Sequence, residues 1–225
     1  MNYEHLTLGN DAAWGGWGQC LADAARGPLW VGWQKLGGRT WRWTVLREAL
    51  AELDQLSQLR SIRVVVEKPP AVYKGAGRHG QHGKRAGNQA VVGYGMGQLI
   101  GPILAWGEGH HVLDESMQPH NPESPTRWPY PWEVEVSEWR GWWNLRGIRG
   151  GREAYKLAAL IQVERLGWAE EHLTQYGWAP GLGMAAQRKL VADGQPCGDV
   201  AEAILIAVGA AMRPELGPKG PRVRP

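Results

Sequence analysis

Residues 62–67 read IRVVVE and are followed by Lys68 and two prolines. The three consecutive valines are β-branched and leave no polar face, which is typical of a strand buried on both sides within an α/β sheet. Such a strand usually ends on a residue that enters solvent, yet this one ends on the carboxylate of Glu67. Glu67 is therefore either a solvated strand end or part of a site at the edge of the sheet.

The segments around this strand predict the rest of an α/β domain. The pattern before it predicts a strand at residues 5–11, a turn into a second strand at 14–23 and a third strand at 28–36 with a neighbour at 39–45. Helical spacing of apolar residues predicts helices at 44–56, 152–166 and 198–212, and residues 132–144 predict a fifth strand entering a helix. We expect one domain over residues 1–212 and an unfolded Pro/Arg tail at 213–225.

Composition narrows the class of protein. A chain of 225 residues with 43% hydrophobic content can bury one substantial core. Two cysteines are too few for a disulfide framework, and no apolar run approaches the ~18 residues of a membrane span. The first residues lack the order of charges and apolar residues found in a signal peptide. These features predict a soluble, intracellular protein, and we expect it in the cytoplasm of a bacterial or phage-infected cell.

The charge is unevenly distributed. The net charge is +3, but residues 68–87 contain five cations and no acid, and the segment 213–225 is also basic, so the remainder is acidic. Clustered Lys and Arg side chains favour a polyanionic partner because they displace counterions from phosphates. Solvated, flexible loops are the alternative explanation.

Four carboxylates could meet in this fold. Asp11 ends the first predicted strand, Glu67 ends the buried one, and Asp199 and Glu202 lie three apart on one face of the last helix. If the first and fourth strands are neighbours, the four acids converge, and a hard cation such as Mg²⁺ or Mn²⁺ would offset their repulsion. Two such ions about 4 Å apart are a known arrangement for phosphodiester cleavage.

Each acid also has a simpler interpretation. Asp11 could be an ordinary turn residue, and Glu67 could be a solvated strand end. Asp199 could cap its helix, since helix starts favour Asp, and Glu202 could face solvent.

Four blocks, in order, resemble the RuvC-type Holliday junction resolvases of the RNase H-like superfamily. They are LTLGNDAAWGGWG (6–18), VVVEKPP (64–70), VEVSEWRGWWNLRGIRGGREAYK (134–156) and GDVAEAILIAVGAA (198–211). The last acid, Glu202, stands where the family more often has Asp, and the first block lacks the common Pro-Gly after Asp11.

The resemblance implies an RNase H-like sheet of five strands, mixed in direction and flanked by helices. It makes Asp11, Glu67, Asp199 and Glu202 the catalytic and metal-binding set, with two Mg²⁺ ions per site and Mn²⁺ as an alternative. The implied activity is symmetric nicking of four-way or other branched DNA by a homodimer. Two alternatives remain: a nuclease acting on RNA or RNA–DNA hybrids, and a non-catalytic protein that binds branched DNA.

Two basic regions are the predicted DNA contacts. In the loop after Glu67 they are Lys74, Arg78, Lys84 and Arg85, with Tyr73, by resemblance, as the aromatic that stacks on bases. Packing of Tyr73 on the protein surface is the alternative for that residue. The second region consists of Arg140, Arg146, Arg149, Arg152 and Lys156, and it interleaves with Trp142 and Trp143, which we expect to pack in the core or at an interface.

Overall fold

The computed structural model describes residues 6–13, 16–35, 62–68 and 132–213. Five strands form its sheet: β1 (Leu6–Ala13), β2 (Gly16–Asp23), β3 (Gly27–Lys35), β4 (Ile62–Glu67) and β5 (Trp132–Val134). Three predicted segments lie outside the described residues: the helix at 44–56, the strand neighbour at 39–45 and the tail beyond residue 213.

The strands are arranged in the order β3-β2-β1-β4-β5. β1 pairs antiparallel with β2, and β2 pairs antiparallel with β3, whereas β1 with β4 and β4 with β5 are parallel. The sheet is therefore mixed and five-stranded, as predicted. Because β1 and β4 are parallel neighbours, their carboxyl ends lie at the same edge of the sheet.

The helices follow the sheet in the chain. They are α1 (Val136–Trp142), α2 (Gly151–Arg165), α3 (Ala169–Leu173), α4 (Met184–Ala192) and α5 (Cys197–Ala211), with a 3₁₀ turn at Thr174–Tyr176. The helices predicted after the fifth strand, at 152–166 and at 198–212 are confirmed within one residue or two. Residues 169–192 carried no prediction and form two short helices and the 3₁₀ turn.

α5 is the central helix of the described structure. All fifteen of its residues are buried, and it packs across β1, β2 and β3. A helix that is apolar on all sides is expected only in a core, which explains the composition of residues 203–211. At its end, the buried Arg63 donates from Nη1 to the carbonyl oxygens of Ala210, at 3.2 Å, and of Arg213, at 3.4 Å.

Two glycines on the sheet allow α5 to lie this close. A Cβ atom at Gly9 would lie 2.5 Å from the backbone nitrogen of Ala207, and one at Gly18 would lie 2.6 Å from the carbonyl oxygen of Asp199. Neither distance is compatible with a side chain. The two glycines therefore set the height of α5 above the sheet, at the first turn and in the second half of the helix.

No helix among the described residues has the length and apolar character needed to cross a membrane.

Candidate metal centre

Three carboxylates converge where α5 crosses β1. Asp11, Asp199 and Glu202 each offer an oxygen atom, and these atoms all lie within 4.8 Å of one another. All three residues are buried, and Glu202 is only 3% exposed. The interpretation of Glu202 as a solvent-facing residue is therefore wrong.

The backbone explains this convergence. Asp11 pairs with Gly18 of β2. On the other side of β1, the parallel pairing with β4 ends one residue earlier, at Asn10 and Val66. The sequence predicts that this strand ends at Asp11. It instead continues to Ala13, because it remains paired with β2. Asp11 is thus a strand residue rather than a turn residue.

Asp199 and Glu202 come from the first turns of α5. A spacing of three places them on one side of the helix, and that side faces Asp11. Asp199 does not cap the helix, because Pro196 occupies the N-cap position and no side chain among the described residues caps this end. Its carboxylate instead accepts hydrogen bonds from the Trp33 indole, at 3.3 Å, and from the Lys156 ammonium group.

Glu67 stands beside this group of three and is not a simple solvated strand end. It is half-buried at the carboxyl end of β4, and its Oε2 accepts a 2.7 Å hydrogen bond from the Trp139 indole. It is close enough that the Asp11 carboxylate raises the pKa of Glu67 and Glu67 raises the pKa of Glu202. The four predicted acids therefore form one electrostatic unit.

Burial and repulsion by neighbouring carboxylates raise the pKa values of Asp11, Glu67 and Glu202. Burial, followed by the charges of Glu202 and Asp199, holds the pKa of Asp11 well above its usual range. Burial and the Asp11 carboxylate raise the pKa of Glu67 to about 7. Burial and the Glu67 carboxylate likewise raise the pKa of Glu202 to about 7. At neutral pH these three acids need positive charge nearby to remain fully ionised.

Three cationic side chains supply part of that charge. Arg140 Nη2 lies 3.3 Å from Glu202 Oε1, Lys156 pairs with Asp199 Oδ1, and Arg152 Nη2 lies 3.9 Å from the same oxygen. Arg140 is further held by aromatic rings, with its guanidinium carbon 3.7 Å from the ring centre of Tyr155 and 5.2 Å from that of Trp139. Arg152 is the exposed one of the three, at 62% of its side chain.

The residues fit a divalent cation. The Oδ2 atom of Asp11 is buried and has no hydrogen-bond partner among the described residues. An orphaned carboxylate oxygen of this kind is costly unless something binds it. The ligand set offers only oxygen atoms, which suit Mg²⁺ or Mn²⁺ rather than softer metals.

The predicted DNA contacts divide into three groups. Arg140 and Lys156 lie within the acidic site, where they pair with Glu202 and Asp199. Arg146 and Arg149 are exposed, and Arg146 Nε donates a 2.8 Å hydrogen bond to the Ser137 carbonyl. Tyr73, Lys74, Arg78, Lys84 and Arg85 lie outside the described residues. Trp142 and Trp143 pack against the core, as expected.

Sequence reasoning missed the two tryptophans that bind the acids. Trp33 and Trp139 belong to a chain with fourteen tryptophans, and no local pattern separates these two from the others. The position of Trp139, directly before Arg140 on the helix that follows β5, is the one available indication. Two neighbouring residues there reach two different carboxylates.

No family model matches the sequence, and no curated protein matches it either. Among solved structures, the chain is similar to T. thermophilus RuvC in complex with a Holliday junction substrate. The TM-score is 0.50 and the sequence identity 11%, over 94% of this chain and 95% of that chain. At this identity the similarity establishes a common fold, the RNase H-like α/β fold that the sequence predicts.

Proposed function

We propose that this protein is a divalent-metal-dependent endonuclease that nicks branched DNA, with four-way junctions as its first substrate. The observation that carries the proposal is the convergence of Asp11, Asp199 and Glu202 within 4.8 Å, next to Glu67. The solved chain with the same fold was captured with a Holliday junction, which supports the choice of substrate.

Asp11, Glu67, Asp199 and Glu202 would hold the metal, with two ions per site. Bound Mg²⁺ or Mn²⁺ would supply a Lewis acid for phosphate oxygens and lower the pKa of water at the site. The chain contributes fixed ligands. The buried Asp11 offers its Oδ2, which has no hydrogen-bond partner among the described residues, while donors from Trp33, Trp139 and Arg140 hold the other carboxylates in place. Hydrolysis in line with the leaving oxygen would give 5′-phosphate and 3′-hydroxyl ends.

The cations of the site would bind the DNA backbone. Arg152 is exposed and lies 3.9 Å from Asp199, so a phosphate next to the acids is within reach of its flexible side chain. Lys156, Arg146 and Arg149 would extend this contact along the strand. Phosphate contacts of this type orient the backbone and carry no sequence information. The basic residues at 74–85, with Tyr73, would add further contacts to the junction.

A homodimer is part of the proposal. Resolution of a four-way junction needs two symmetric nicks, and a two-fold dimer presents two equivalent sites to a two-fold substrate. Light scattering during size-exclusion chromatography, with and without a synthetic junction, measures this directly. A mass of one chain under both conditions would exclude the dimer.

Two other functions are distinguished by substrate and by metal. An enzyme for RNA would cut an RNA–DNA hybrid duplex faster than a four-way DNA junction, whereas we expect the reverse order at equal Mg²⁺ concentration. A non-catalytic binder would bind the junction without binding Mn²⁺ in a calorimetric titration. The buried Oδ2 of Asp11, which has no hydrogen-bond partner within the described part of the chain, favours the metal-binding enzyme over the binder.

A further inference from the structure

The Trp139 indole is built into the site. Trp139 is completely buried in α1, and its Nε1 donates to Glu67 Oε2 at 2.7 Å. A 2.7 Å N–H···O distance is at the short end of the range and typical of a charged acceptor. The buried Trp139 ring is held in place by its packing. The hydrogen bond therefore fixes the position of the Glu67 carboxylate, and the carboxylate does not position the ring.

The Trp33 indole reaches the site from the opposite side. In the ladder, Asp11 pairs with Gly18, and Gly18 pairs with Trp33, so the three residues form one row across β1, β2 and β3. Trp33 Nε1 donates to Asp199 Oδ2 at 3.3 Å. The ring lies over Gly16, where a Cβ atom would come within 2.7 Å of Nε1. The absence of a side chain at Gly16 therefore gives the ring its place.

The two bonds have the same consequence. A glutamate or aspartate in a cluster of like charges is pushed away from its neighbours, and rotation about its side-chain bonds would relieve that repulsion. A directional donor on one oxygen opposes this rotation and orients the second oxygen of the same carboxylate. Groups that orient metal ligands in this way commonly change metal affinity by about 10- to 100-fold when removed.

We propose that Trp139 and Trp33 are positioning residues of the metal centre, and that their indole N–H groups hold Glu67 and Asp199 in the metal-binding orientation. The inference rests on the proposed function, because it assumes that the acids bind a divalent metal. It goes further in naming two residues that bind neither metal nor DNA and yet control occupancy of the site.

The test compares three tryptophan-to-phenylalanine variants of the full chain, each of which removes an indole N–H and retains an aromatic ring. Trp139→Phe and Trp33→Phe remove the donors to the carboxylates. Trp143→Phe is the matched control, because Trp143 Nε1 donates at 2.8 Å to a backbone carbonyl, that of Leu205. Mn²⁺ affinity is measured by calorimetry on the metal-free proteins, and unfolding by urea is measured alongside.

We expect Mn²⁺ to bind about tenfold more weakly to Trp139→Phe and Trp33→Phe, with less than a twofold change for Trp143→Phe. Junction cleavage by the first two variants should recover at high Mn²⁺ concentration, a recovery that a merely loosened fold would not show. If Trp139→Phe fails to fold, the half-buried Trp33 carries the test.

Unchanged Mn²⁺ affinity in folded Trp139→Phe and Trp33→Phe, while the wild type binds the metal, would overturn this inference and leave the proposed function intact. A wild-type protein that binds no Mn²⁺ would instead overturn the proposed function, and the inference with it.

Discussion

Gly18 lies directly opposite Asp11 in the β1–β2 ladder, and a Cβ atom at Gly18 would lie 2.6 Å from the carbonyl oxygen of Asp199. The lack of a side chain at Gly18 thus determines how close Asp199 can come to Asp11. A helix one methyl group further from the sheet would move both Asp199 and Glu202 away from Asp11. The acidic site is therefore built on a backbone contact as much as on its acids.

The first prediction concerns this contact. Gly18→Ala places a methyl group against the α5 backbone at Asp199, which can shift only if the helix shifts. We therefore expect the free energy of unfolding to fall by about 1–3 kcal/mol, as for overpacked cores. Mn²⁺ affinity should fall with it. Gly183→Ala is the control, because Gly183 has an ordinary φ of −66° and no atom within 4 Å of the added Cβ. Urea unfolding and calorimetry measure both quantities, and equal stability of the two variants would contradict the argument.

The second prediction concerns pH. Glu67 and Glu202 have folded-state pKa values near 7, raised from 4.5. Between those values the folded metal-free protein binds more protons than the unfolded chain, so its stability falls as the pH rises from about 4.5 to about 7. Glu202→Gln should flatten this dependence and be more stable than the wild type at pH 8 without metal. Urea midpoints measured in EDTA at several pH values test this.

The control for the pH prediction is Glu153→Gln, which changes an exposed glutamate of α2. It should leave the slope of stability against pH unchanged. Addition of Mn²⁺ should raise the stability of the wild type at pH 8 by more than it raises that of Glu202→Gln. If the stability of the wild type and that of Glu202→Gln depend on pH with the same slope, ionisation of Glu202 does not destabilise the folded protein and the prediction is wrong.

The third prediction concerns Lys156, which pairs with Asp199 and lies against Gly198 on the first turn of α5. Its ammonium group occupies an oxygen that a metal ion would need. Lys156→Met should therefore strengthen Mn²⁺ binding on the order of tenfold, equivalent to about 1.4 kcal/mol, while junction binding weakens because a phosphate contact is lost. The exposed Lys189 provides the control variant, Lys189→Met. Weaker Mn²⁺ binding in Lys156→Met would show that the lysine supports the metal site instead of competing with it.

Sequence reasoning reached the sheet and the acids because both depend on local patterns. Three consecutive valines identify β4 as a buried strand. The spacing of Asp199 and Glu202 places them on one face of a helix, independently of how that helix packs in the fold. The topology then follows from parallel pairing of β1 with β4.

The partners of the acids could not be predicted in the same way. Trp139 meets Glu67 across 72 positions and Trp33 meets Asp199 across 166, so no periodicity records either contact. Arg140 and Lys156 were predicted as phosphate contacts from their charge alone. Their ion pairs with Glu202 and Asp199 depend on how α1 and α2 pack against α5.

The central claim is that the converging carboxylates cut branched DNA. A synthetic four-way junction, labelled in turn on each strand and incubated with the protein and Mg²⁺, tests it most directly. We expect paired nicks at symmetric positions on two opposing strands from the wild type. Asp11→Asn and Glu67→Gln should give no nicks while still binding the junction in gel-shift experiments. An uncut junction with the wild type, or the same nicks from Asp11→Asn, would contradict the account.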